Sequence, residues 1–476
     1  MSNDLTTNDL TTNDFNLDLF IKLVRGLNLY DLENYLDNSW NYNKLKTLAI
    51  IFNSRDRING KKEKEISNNC LLWLKLNHND IYKKNIHTYI NKYGCWNDLN
   101  FIIKKTKKIK KNNYEYKLFA EQLKKDKELL ENGENISLCA KWIISPNNTK
   151  IIKIARYLFT DISRYQERYR KEYIIPLRTK LNIIETKLCT KDYENIDYNK
   201  IPAKALTIYN KTFIRHDEDK YKLYLSDIAN NKCKMKISGL LPYEIIKKYI
   251  DEEYNNNIIN EMLELQWKTY VDMYKFKIFD DIIPIVDVSG SMLTSSNKIK
   301  PLYVSIAMGL LLAEINKGEL HNKIMTFSEK PIFFNITGDT LKDKIKCILS
   351  SPYGLNTNFL NIADLLINSS IPYKRIICFT DMQFDNSNNS INYNIQDIHN
   401  KFMTKFTENN KPIPELIYWN LNGDYSNYPI NNTFKNTSII SGFSEQLLNI
   451  ILECDEITPN KLMDKTLEPY YDHIIL

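Results

Sequence analysis

The sequence predicts a two-part fold, an all-α segment followed by an α/β segment, and two observations support it. From Phe15 to about Tyr274, apolar residues recur at spacings of three and four with little alternation, as on the buried face of helices. Near Phe279 the pattern changes to short apolar runs that alternate with helical patterns, which is typical of a doubly wound parallel sheet. We therefore predict a helical domain over 19–275 and an α/β domain over 276–476.

The helical part follows a low-complexity tail. Residues 1–14 repeat the sequence Asn-Asp-Leu-Thr-Thr, so we expect residues 1–18 to be disordered. After the tail, short helical runs are separated by polar breaks; one such run contains Leu45, Leu48 and Ile51. A chain of short helices with few glycines favours an all-α, solenoid-like array of the HEAT type, although the sequence has no fixed-period repeat.

The α/β part can be assigned element by element. We predict strands over 282–286, 375–380, 415–421 and 438–441, and one or two more within 323–336. We predict helices over 302–315, 341–349, 359–367, 395–406 and 443–452. Because helices separate most of these strands, neighbouring strands should be parallel, and their carboxyl ends should meet at one edge of the sheet.

Composition and targeting signals narrow the class of protein. The 476 residues are 43% hydrophobic and 26% charged, and no stretch approaches 18 uncharged apolar residues, so we expect no membrane span. The N-terminus lacks the basic and apolar regions of a secretory signal, so we expect a cytoplasmic location. Eight cysteines are scattered without a Cys-x-x-Cys pair, which favours free thiols over a disulfide framework.

Charge is distributed unevenly between the two parts. Residues 1–275 contain 48 basic and 36 acidic side chains, a net charge of +12. Residues 276–476 contain 17 basic and 22 acidic side chains, a net charge of −5. The helical part is therefore a candidate for binding a polyanion such as nucleic acid, and the α/β part is not.

The strongest site signal follows the first predicted strand. The apolar run 282–286 ends in the sequence Asp-Val-Ser-Gly-Ser at residues 287–291. One carboxylate and two hydroxyls at the carboxyl end of a parallel strand are hard oxygen ligands, which suit a divalent cation such as Mg²⁺. The alternative interpretation is an ordinary strand-to-helix turn in which a serine caps the helix.

Two downstream features extend this site. The loop 354–358 offers a threonine hydroxyl, and the apolar run 375–380 again ends in an aspartate. Because the carboxyl ends of parallel strands meet at one edge, we expect these groups to surround one point. The candidate metal ligands are Asp287, Ser289, Ser291, Thr357 and Asp381.

This constellation resembles the metal-ion-dependent adhesion site of von Willebrand factor A domains in the order, types and strand context of its residues. The resemblance implies that the five residues hold Mg²⁺ or another divalent cation. It also implies that an acidic group of a protein ligand fills the open coordination position. One departure is that Met382 follows Asp381, where many adhesion domains have glycine.

Two basic clusters lie in the helical part. The candidate nucleic-acid-binding residues are Lys104, Lys105, Lys107, Lys108, Lys110, Lys111, Arg164, Arg168, Arg170 and Lys171. Lysines contact phosphates without reading sequence, and tyrosines between arginines can stack on unpaired bases. The alternative is a solvated surface loop for the lysine run, and surface arginines with core tyrosines for the second cluster.

Further motifs connect both parts of the chain to one family. They are Arg55–Glu63, Tyr93–Leu99, Ala140–Ile143, Tyr169–Lys171, Pro202–Ala205, Phe213–Asp217, Pro284–Met292, Thr326–Ser328, Thr380–Asp385, Tyr418–Leu421 and Ser441–Ser444. Together they resemble an uncharacterised family of cytosolic proteins from eukaryotes and large DNA viruses, which joins a helical domain to a von Willebrand A-like domain. Lys62 stands where the family pattern has a glycine.

That architecture is distantly similar to the TROVE module of Ro ribonucleoproteins. In Ro-like proteins, a ring of helical repeats holds single-stranded RNA ends and structured RNA, and the A-like domain closes the ring. The resemblance therefore implies a non-catalytic, RNA-binding ribonucleoprotein component with single-stranded or structured RNA as partner. The alternative is a metal-dependent protein-interaction scaffold that does not bind RNA.

A hydrolase is disfavoured by the residues around Asp287. A phosphatase of the haloacid dehalogenase type needs Asp-x-Asp, and Ser289 stands in place of its second aspartate. The sequence also lacks His-Glu-x-x-His, Walker A and Gly-x-Ser-x-Gly motifs. We therefore expect no enzyme activity and no catalytic residues.

Overall fold

The computed structural model describes residues 14–106, 114–253, 259–275, 281–293, 299–326, 330–351, 359–381, 395–422, 436–454 and 457–476. The chain forms two compact units. The sheet unit comprises the residues up to Ile66, Pro202–Asn210 and Leu225–Ile474. The helical unit comprises Ser67–Ile201, Lys211–Tyr224 and Ile475–Leu476. The predicted order of a helical region followed by a mixed α/β region is confirmed.

Sixteen α-helices precede the sheet in the described part of the chain. They are α1 (Phe15–Lys22), α2 (Leu29–Tyr42), α3 (Lys44–Arg55), α4 (Lys64–Asn77), α5 (Asn79–Thr88), α6 (Trp96–Lys105), α7 (Tyr114–Glu131), α8 (Cys139–Trp142), α9 (Ile151–Leu158), α10 (Tyr165–Arg168), α11 (Ile175–Leu181), α12 (Ile184–Thr190), α13 (Ala203–His216), α14 (Glu218–Ala229), α15 (Pro242–Lys248) and α16 (Glu261–Tyr274). π-Helical turns span Tyr89–Tyr93, Tyr169–Ile174 and Tyr249–Glu253, and Tyr198–Lys200 forms a 3₁₀ turn. Asparagine, which is abundant in this sequence, caps several helices: the side chains of Asn28, Asn43 and Asn260 accept hydrogen bonds from the first turns of α2, α3 and α16.

The α/β region contains six strands in its described part, and their bounds agree closely with the sequence-based assignment. The strands are β1 (Ile282–Val286), β2 (Lys323–Thr326), β3 (Phe333–Asn335), β4 (Arg375–Thr380), β5 (Glu415–Asn420) and β6 (Thr437–Ser441). The helices are α17 (Pro301–Ile315), α18 (Leu341–Leu349), α19 (Phe359–Asn368), α20 (Ile395–Glu408), α21 (Gln446–Glu453) and α22 (Pro459–Leu467), with 3₁₀ turns at Gly290–Leu293, Gly318–Leu320 and Glu468–His473.

The six strands form one sheet in the order β3-β2-β1-β4-β5-β6. All neighbours are parallel except β2 and β3, which pair antiparallel. The prediction of a parallel sheet therefore fails at this edge, because only six residues separate β2 from β3 and a parallel crossover needs a dozen or more. The other connections from β1 to β6 are long enough for crossovers, as predicted.

Helix α17 packs against β1 and holds that strand under the candidate metal loop. Nearly all of its residues are buried, as expected for a helix that is apolar on every face. A Cβ atom on Gly309 would lie 2.1 Å from Cγ2 of Val286, so glycine allows the helix to approach the strand this closely. The side chain of Asn316, just after the helix, donates to the carbonyl of Ile282 at 2.8 Å.

Within the sheet unit, the family motif Arg55–Glu63 joins the N-terminal helices to the last strand. The Lys61 side chain is fully buried, and its Nζ donates to the carbonyl of Phe20 and to Oγ of Ser441, the latter at 2.8 Å. Burial lowers the pKa of Lys61 to about 7, and the charge of Glu63 opposes that shift. One buried ammonium group thus links α1, the motif and the end of β6.

The neighbouring Lys62 stands where the family pattern has a glycine, and its backbone shows how a lysine is accommodated there. Its φ angle is 59°, in the left-handed region that favours glycine. The lysine therefore holds a backbone conformation that a glycine would adopt without strain. Its side chain pairs with Glu445 at 2.7 Å, and that carboxylate is almost fully buried.

In the described part of the chain, no helix combines the length and apolar character that would let it cross a membrane.

Candidate functional site

The Asp287 loop begins directly after β1 and is held by the neighbouring strand β4. The backbone N–H of Asp287 donates to the carbonyl of Phe379 at 3.2 Å, which continues the ladder between the two strands. One carboxylate oxygen of Asp287 accepts from the backbone N–H of Ser289 at 2.9 Å. The hydroxyls of Ser289 and Ser291 lie 3.0 Å apart. Three of the five predicted ligands are therefore brought together.

Thr380 contributes to this site, although the sequence analysis did not select it. Its hydroxyl donates to the second carboxylate oxygen of Asp287 at 2.9 Å, and both residues are buried. The sequence feature that could have indicated Thr380 is its position as the last residue of an apolar strand, directly before Asp381. The bond fixes the orientation of the Asp287 carboxylate.

Asp381 follows β4 and is fully buried. Burial raises the pKa of Asp287 to about 6, and the charge of Asp381 contributes to that shift, while hydrogen bonds from Ser289 and Thr380 oppose it. A second nearby carboxylate therefore makes the ionised state costly, as expected where a cation would compensate the charge. Thr357 lies outside the described residues.

The donor set fits a hard cation that takes few charged ligands. Among the described residues, no group of three or more His, Cys, Asp and Glu side chains is assembled for a metal. Two carboxylates would hold the ion, and the two serine hydroxyls would supply neutral oxygens.

The sheet topology places this loop where doubly wound folds bind ligands. From β1 the chain proceeds to β2 and β3 on one side, then crosses to β4, β5 and β6 on the other. The carboxyl ends of β1 and β4 therefore flank the topological switch point, which is the usual ligand-binding crevice of such sheets. Asp287 and Asp381 follow these two strands.

The lysine run lies partly within the described residues. Lys104 and Lys105 are exposed at the end of α6, and Lys105 Nζ lies 5.6 Å from the centre of the Phe101 ring. Lys107, Lys108, Lys110 and Lys111 lie outside the described residues. The two described lysines belong to the helical unit.

The arginine cluster divides into exposed and internally engaged residues. Arg164 and Arg170 are exposed, and Arg164 has a left-handed backbone with φ of 49°. Arg168 stacks 4.0 Å above the Phe159 ring and pairs with Glu172 at 2.8 Å. Arg168 therefore stabilises the local fold, while Arg164 and Arg170 are available at the surface.

The remaining cationic residue of this cluster, Lys171, is exposed and lies 2.7 Å from Glu167. Tyr169, between the arginines, is fully buried, and its hydroxyl donates to the carbonyl of Ile144 at 3.1 Å. Tyr169 therefore belongs to the core and is not available to stack on a base. For this tyrosine the structure supports the alternative interpretation given above.

The two compact units differ more in net charge than the two sequence segments 1–275 and 276–476 do. The helical unit holds 31 basic and 18 acidic residues, a net charge of +13. The sheet unit holds 34 basic and 40 acidic residues, a net charge of −6. The excess of positive charge predicted for residues 1–275 thus resides in the helical unit alone.

Two family profiles together cover nearly all of this chain. The profile "Domain of unknown function (DUF2828)" matches residues 2–116 and 114–277, more than half of the chain. The chain belongs to the DUF2828 family. A second profile, "Domain of unknown function (DUF7788)", matches residues 281–469. The two matches meet close to the start of β1.

A viral relative supports the family predicted from the sequence motifs. An uncharacterized protein of Acanthamoeba polyphaga mimivirus is 31% identical over 502 residues, which covers 95% of this chain and 84% of the relative. Among solved structures, the Ro (RSR) protein of Deinococcus radiodurans superposes with a TM-score of 0.53, at 12% identity, over 96% of this chain and 100% of that protein. At this identity the likeness shows a Ro-like fold.

Proposed function

We propose that this DUF2828 protein is a non-catalytic RNA-binding protein of the Ro type. Its helical unit would contact RNA phosphates, and its von Willebrand A-like sheet region would hold Mg²⁺ or another divalent cation. The observation that carries the proposal is the net charge of +13 in the helical unit, in a chain with a Ro-like fold. Phosphate contacts need cationic groups at the surface, because a buried cation is already paired.

The exposed cations of the helical unit are the residues proposed to bind. Lys104, Lys105, Arg164 and Arg170 are exposed, so their charges can reach a phosphate without breaking the fold. The sheet unit, with a net charge of −6, would repel the same backbone. RNA would therefore lie on the helical unit, in the solenoid-like arrangement that the Ro resemblance implies, and the protein would act in the cytoplasm.

The cation is proposed to sit at the carboxyl edge of the sheet. Asp287 and Asp381 would bind it directly, and Ser289 and Ser291 would supply hydroxyl oxygens, with Thr357 as a further ligand. Thr380 would orient the Asp287 carboxylate through its hydrogen bond. When bound, the ion would offer a coordination position to an acidic group.

The test of RNA binding is a salt titration of the full-length protein. A fluorescent single-stranded RNA and a hairpin RNA would be titrated by anisotropy between about 50 and 200 mM salt. If RNA binds through phosphates, affinity should fall steeply with salt for at least one of them, and EDTA should leave it unchanged. Affinity that is undetectable for both RNAs at low salt would refute the proposal.

The alternative, a protein-interaction scaffold, is favoured by one specific observation. The candidate cation site is a hydrogen-bonded polar cluster of the sheet unit, and that unit is net acidic, so the site suits a single carboxylate of a partner better than a polyanion. A scaffold should lose its partner with EDTA or on Asp287→Ala, while far-ultraviolet circular dichroism stays unchanged. A partner that remains bound under both conditions would exclude the metal-dependent scaffold.

A further inference from the structure

A row of buried polar side chains crosses the carboxyl edge of the sheet. The pairing register places Thr380 of β4 opposite Asn420 of β5, and Asn420 opposite Ser441 of β6. Paired residues of parallel strands present their side chains on the same face, so these three lie side by side. The hydrogen bond from Thr380 to Asp287 brings the candidate metal ligand into the same row. All four side chains are fully buried.

Three members of this row have evident hydrogen-bond partners. Asp287 accepts from Ser289 and Thr380. At the other end of the row, the Ser441 hydroxyl accepts from the buried ammonium group of Lys61 at 2.8 Å. Each of these three side chains therefore has a hydrogen-bond partner within the protein.

Asn420 is different. Its side-chain oxygen accepts from the backbone N–H of Asn422 at 2.9 Å, which fixes the orientation of the amide. Its Nδ2 is buried and has no hydrogen-bond partner among the residues that the structure describes. A buried donor left unpaired destabilises the fold, so a retained one calls for an explanation.

The backbone around Asn420 is held firmly, and the hydrogen bond from Asn422 orients the amide. The preceding Trp419 donates from its indole nitrogen to the carbonyl of Gly442 at 2.7 Å, and the ring is fully buried. On the other side, β5 pairs along its whole length with β4 and β6. The NH₂ group of Asn420 is thus a preorganised donor, one strand away from Thr380 and Asp381.

We propose that Asn420 is a further ligand-binding residue of the carboxyl edge. Its side-chain NH₂ would donate to the carboxylate of a protein ligand while that carboxylate also coordinates the cation held by Asp287 and Asp381. This rests on the cation site of the proposed function. Asp381 follows β4, the direct neighbour of β5, and Asp287 follows β1 on the other side of β4. A carboxylate that binds both the ion and the amide would therefore lie at the carboxyl end of β4.

A carboxylate fits this position better than a phosphate of RNA. The sheet unit carries a net charge of −6, which opposes the approach of a polyanion but tolerates one acidic side chain compensated by the bound ion. The Asn420 amide would also add selectivity, because its two N–H groups donate and cannot accept. An ammonium group of a wrong ligand cannot accept a hydrogen bond and would leave the donor unpaired.

The experiment uses the full-length protein with Mn²⁺ as the cation and acetate as the probe. Mn²⁺ affinity is measured by electron paramagnetic resonance, and acetate affinity by the relaxation of ¹³C-acetate at the Mn²⁺-loaded protein. Asn420→Leu should keep Mn²⁺ affinity within about 2-fold of wild type, because Asp287 and Asp381 remain. It should weaken acetate at least about 5-fold, because the NH₂ donor is lost together with the acceptor for the backbone N–H of Asn422. Asn420→Asp should tighten Mn²⁺ and abolish acetate binding, because a third carboxylate joins the site.

The matched control is Asn409→Asp, an exposed asparagine after α20, which should change neither affinity. If acetate affinity is unchanged in both Asn420 variants, Asn420 does not bind the ligand. In that case, binding of Mn²⁺ by the wild type would still support the cation site. Failure of wild type to bind Mn²⁺ would overturn the cation site itself and this inference with it. Stronger binding of inorganic phosphate than of acetate would overturn the choice of a carboxylate ligand.

A second measurement keeps the inference testable if the variants do not fold. In ¹⁵N-labelled wild type loaded with Mg²⁺, the side-chain NH₂ resonances of Asn420 should shift on addition of acetate. The same addition without Mg²⁺ should leave them in place, because the ion holds the carboxylate. Resonances that do not move in the Mg²⁺-loaded protein at saturating acetate would refute a contact with Asn420.

Discussion

The sheet unit and the helical unit carry net charges of opposite sign and place their charged residues differently. In the sheet unit, several charged groups lie in the interior: Lys61, Glu63, Asp287 and Asp381 are all fully or almost fully buried. In the helical unit, Arg164 and Arg170 are exposed. The helical unit also buries some charged groups, including Asp98, Asp126 and an ion pair in which Lys75 Nζ lies 2.5 Å from Glu115 Oε1.

The difference shows what each unit can do with charge. A buried charge is costly unless it is paired, so in the sheet unit charged groups fix the geometry of a small polar site. A surface charge keeps its hydration and costs little, so the helical unit can accumulate a net charge of +13 and act over a distance. The first arrangement suits one cation or carboxylate, and the second suits a polyanion.

Neutralising the surface of the helical unit should have the largest effect. The variant Lys104→Gln/Lys105→Gln/Arg164→Gln/Arg170→Gln removes four exposed cations. If each contacts a phosphate, RNA affinity at about 50 mM salt should fall on the order of 1,000-fold, and the salt slope should decrease by about 3. The measurement is anisotropy of a single-stranded RNA over a salt series.

The matched control removes two exposed lysines of the sheet unit, Lys317 and Lys411, by substitution with glutamine. RNA affinity should change less than about 2-fold in this control, because the proposal places the phosphate contacts on the helical unit. If the control variant lost as much RNA affinity per substituted residue as the four-residue variant, the two units would not differ in RNA binding.

Acid should destabilise the sheet unit through His399 of α20. Burial lowers the pKa of His399 to about 4 from 6.5. The unfolded chain therefore binds this proton more tightly than the folded one, so the stability from neutral His399 is present above pH 6.5 and is lost as the pH falls towards 4. The expected loss is about 3 kcal/mol in the free energy of unfolding.

Urea denaturation of wild type and His399→Gln at about pH 7 and about pH 4 checks this expectation. The substitution should remove most of the difference between the two pH values that His399 causes. The control His321→Gln changes an exposed histidine of the same unit and should keep the wild-type difference. An identical loss in His399→Gln and wild type would show that His399 does not titrate in this range.

Gly309→Ala should weaken the packing of α17 on β1 by about 2 kcal/mol, because the added Cβ meets Cγ2 of Val286 at 2.1 Å. The measurement is a double-mutant cycle by chemical denaturation with Val286→Ala, which removes that methyl group. The double variant should be more stable than the sum of the two single effects predicts, by about 1 kcal/mol. Strict additivity would contradict a direct clash.

The smallest expected effect concerns Lys62, which holds a left-handed backbone with φ of 59°. Lys62→Met removes the ion pair with Glu445 and keeps the strain, whereas Lys62→Gly removes both. The glycine variant should therefore be more stable than the methionine variant by about 1 kcal/mol in urea denaturation. A glycine variant less stable than the methionine variant would show that the left-handed conformation carries no strain.

Local patterns predicted most of the fold and a part of the site. β1, β4 and α18 have the bounds expected from the sequence, because apolar runs and helical periodicity depend on residues close in the chain. The same patterns selected Asp287 and Ser289, which the structure places together. Thr380 was missed, because its role depends on the neighbour that its strand acquires in the sheet.

By itself, the sequence determined which segments become strands and helices, the uneven charge and the polar residues that end β1 and β4. Only the tertiary structure decided that the residues up to Ile66 join the sheet unit and that Tyr169 lies in the core. It also decided that Nδ2 of Asn420 is buried without a hydrogen-bond partner among the described residues. The contact of Lys61 with Ser441 joins residues 380 positions apart. No local pattern encodes such a contact, because burial and pairing depend on the packing of distant segments.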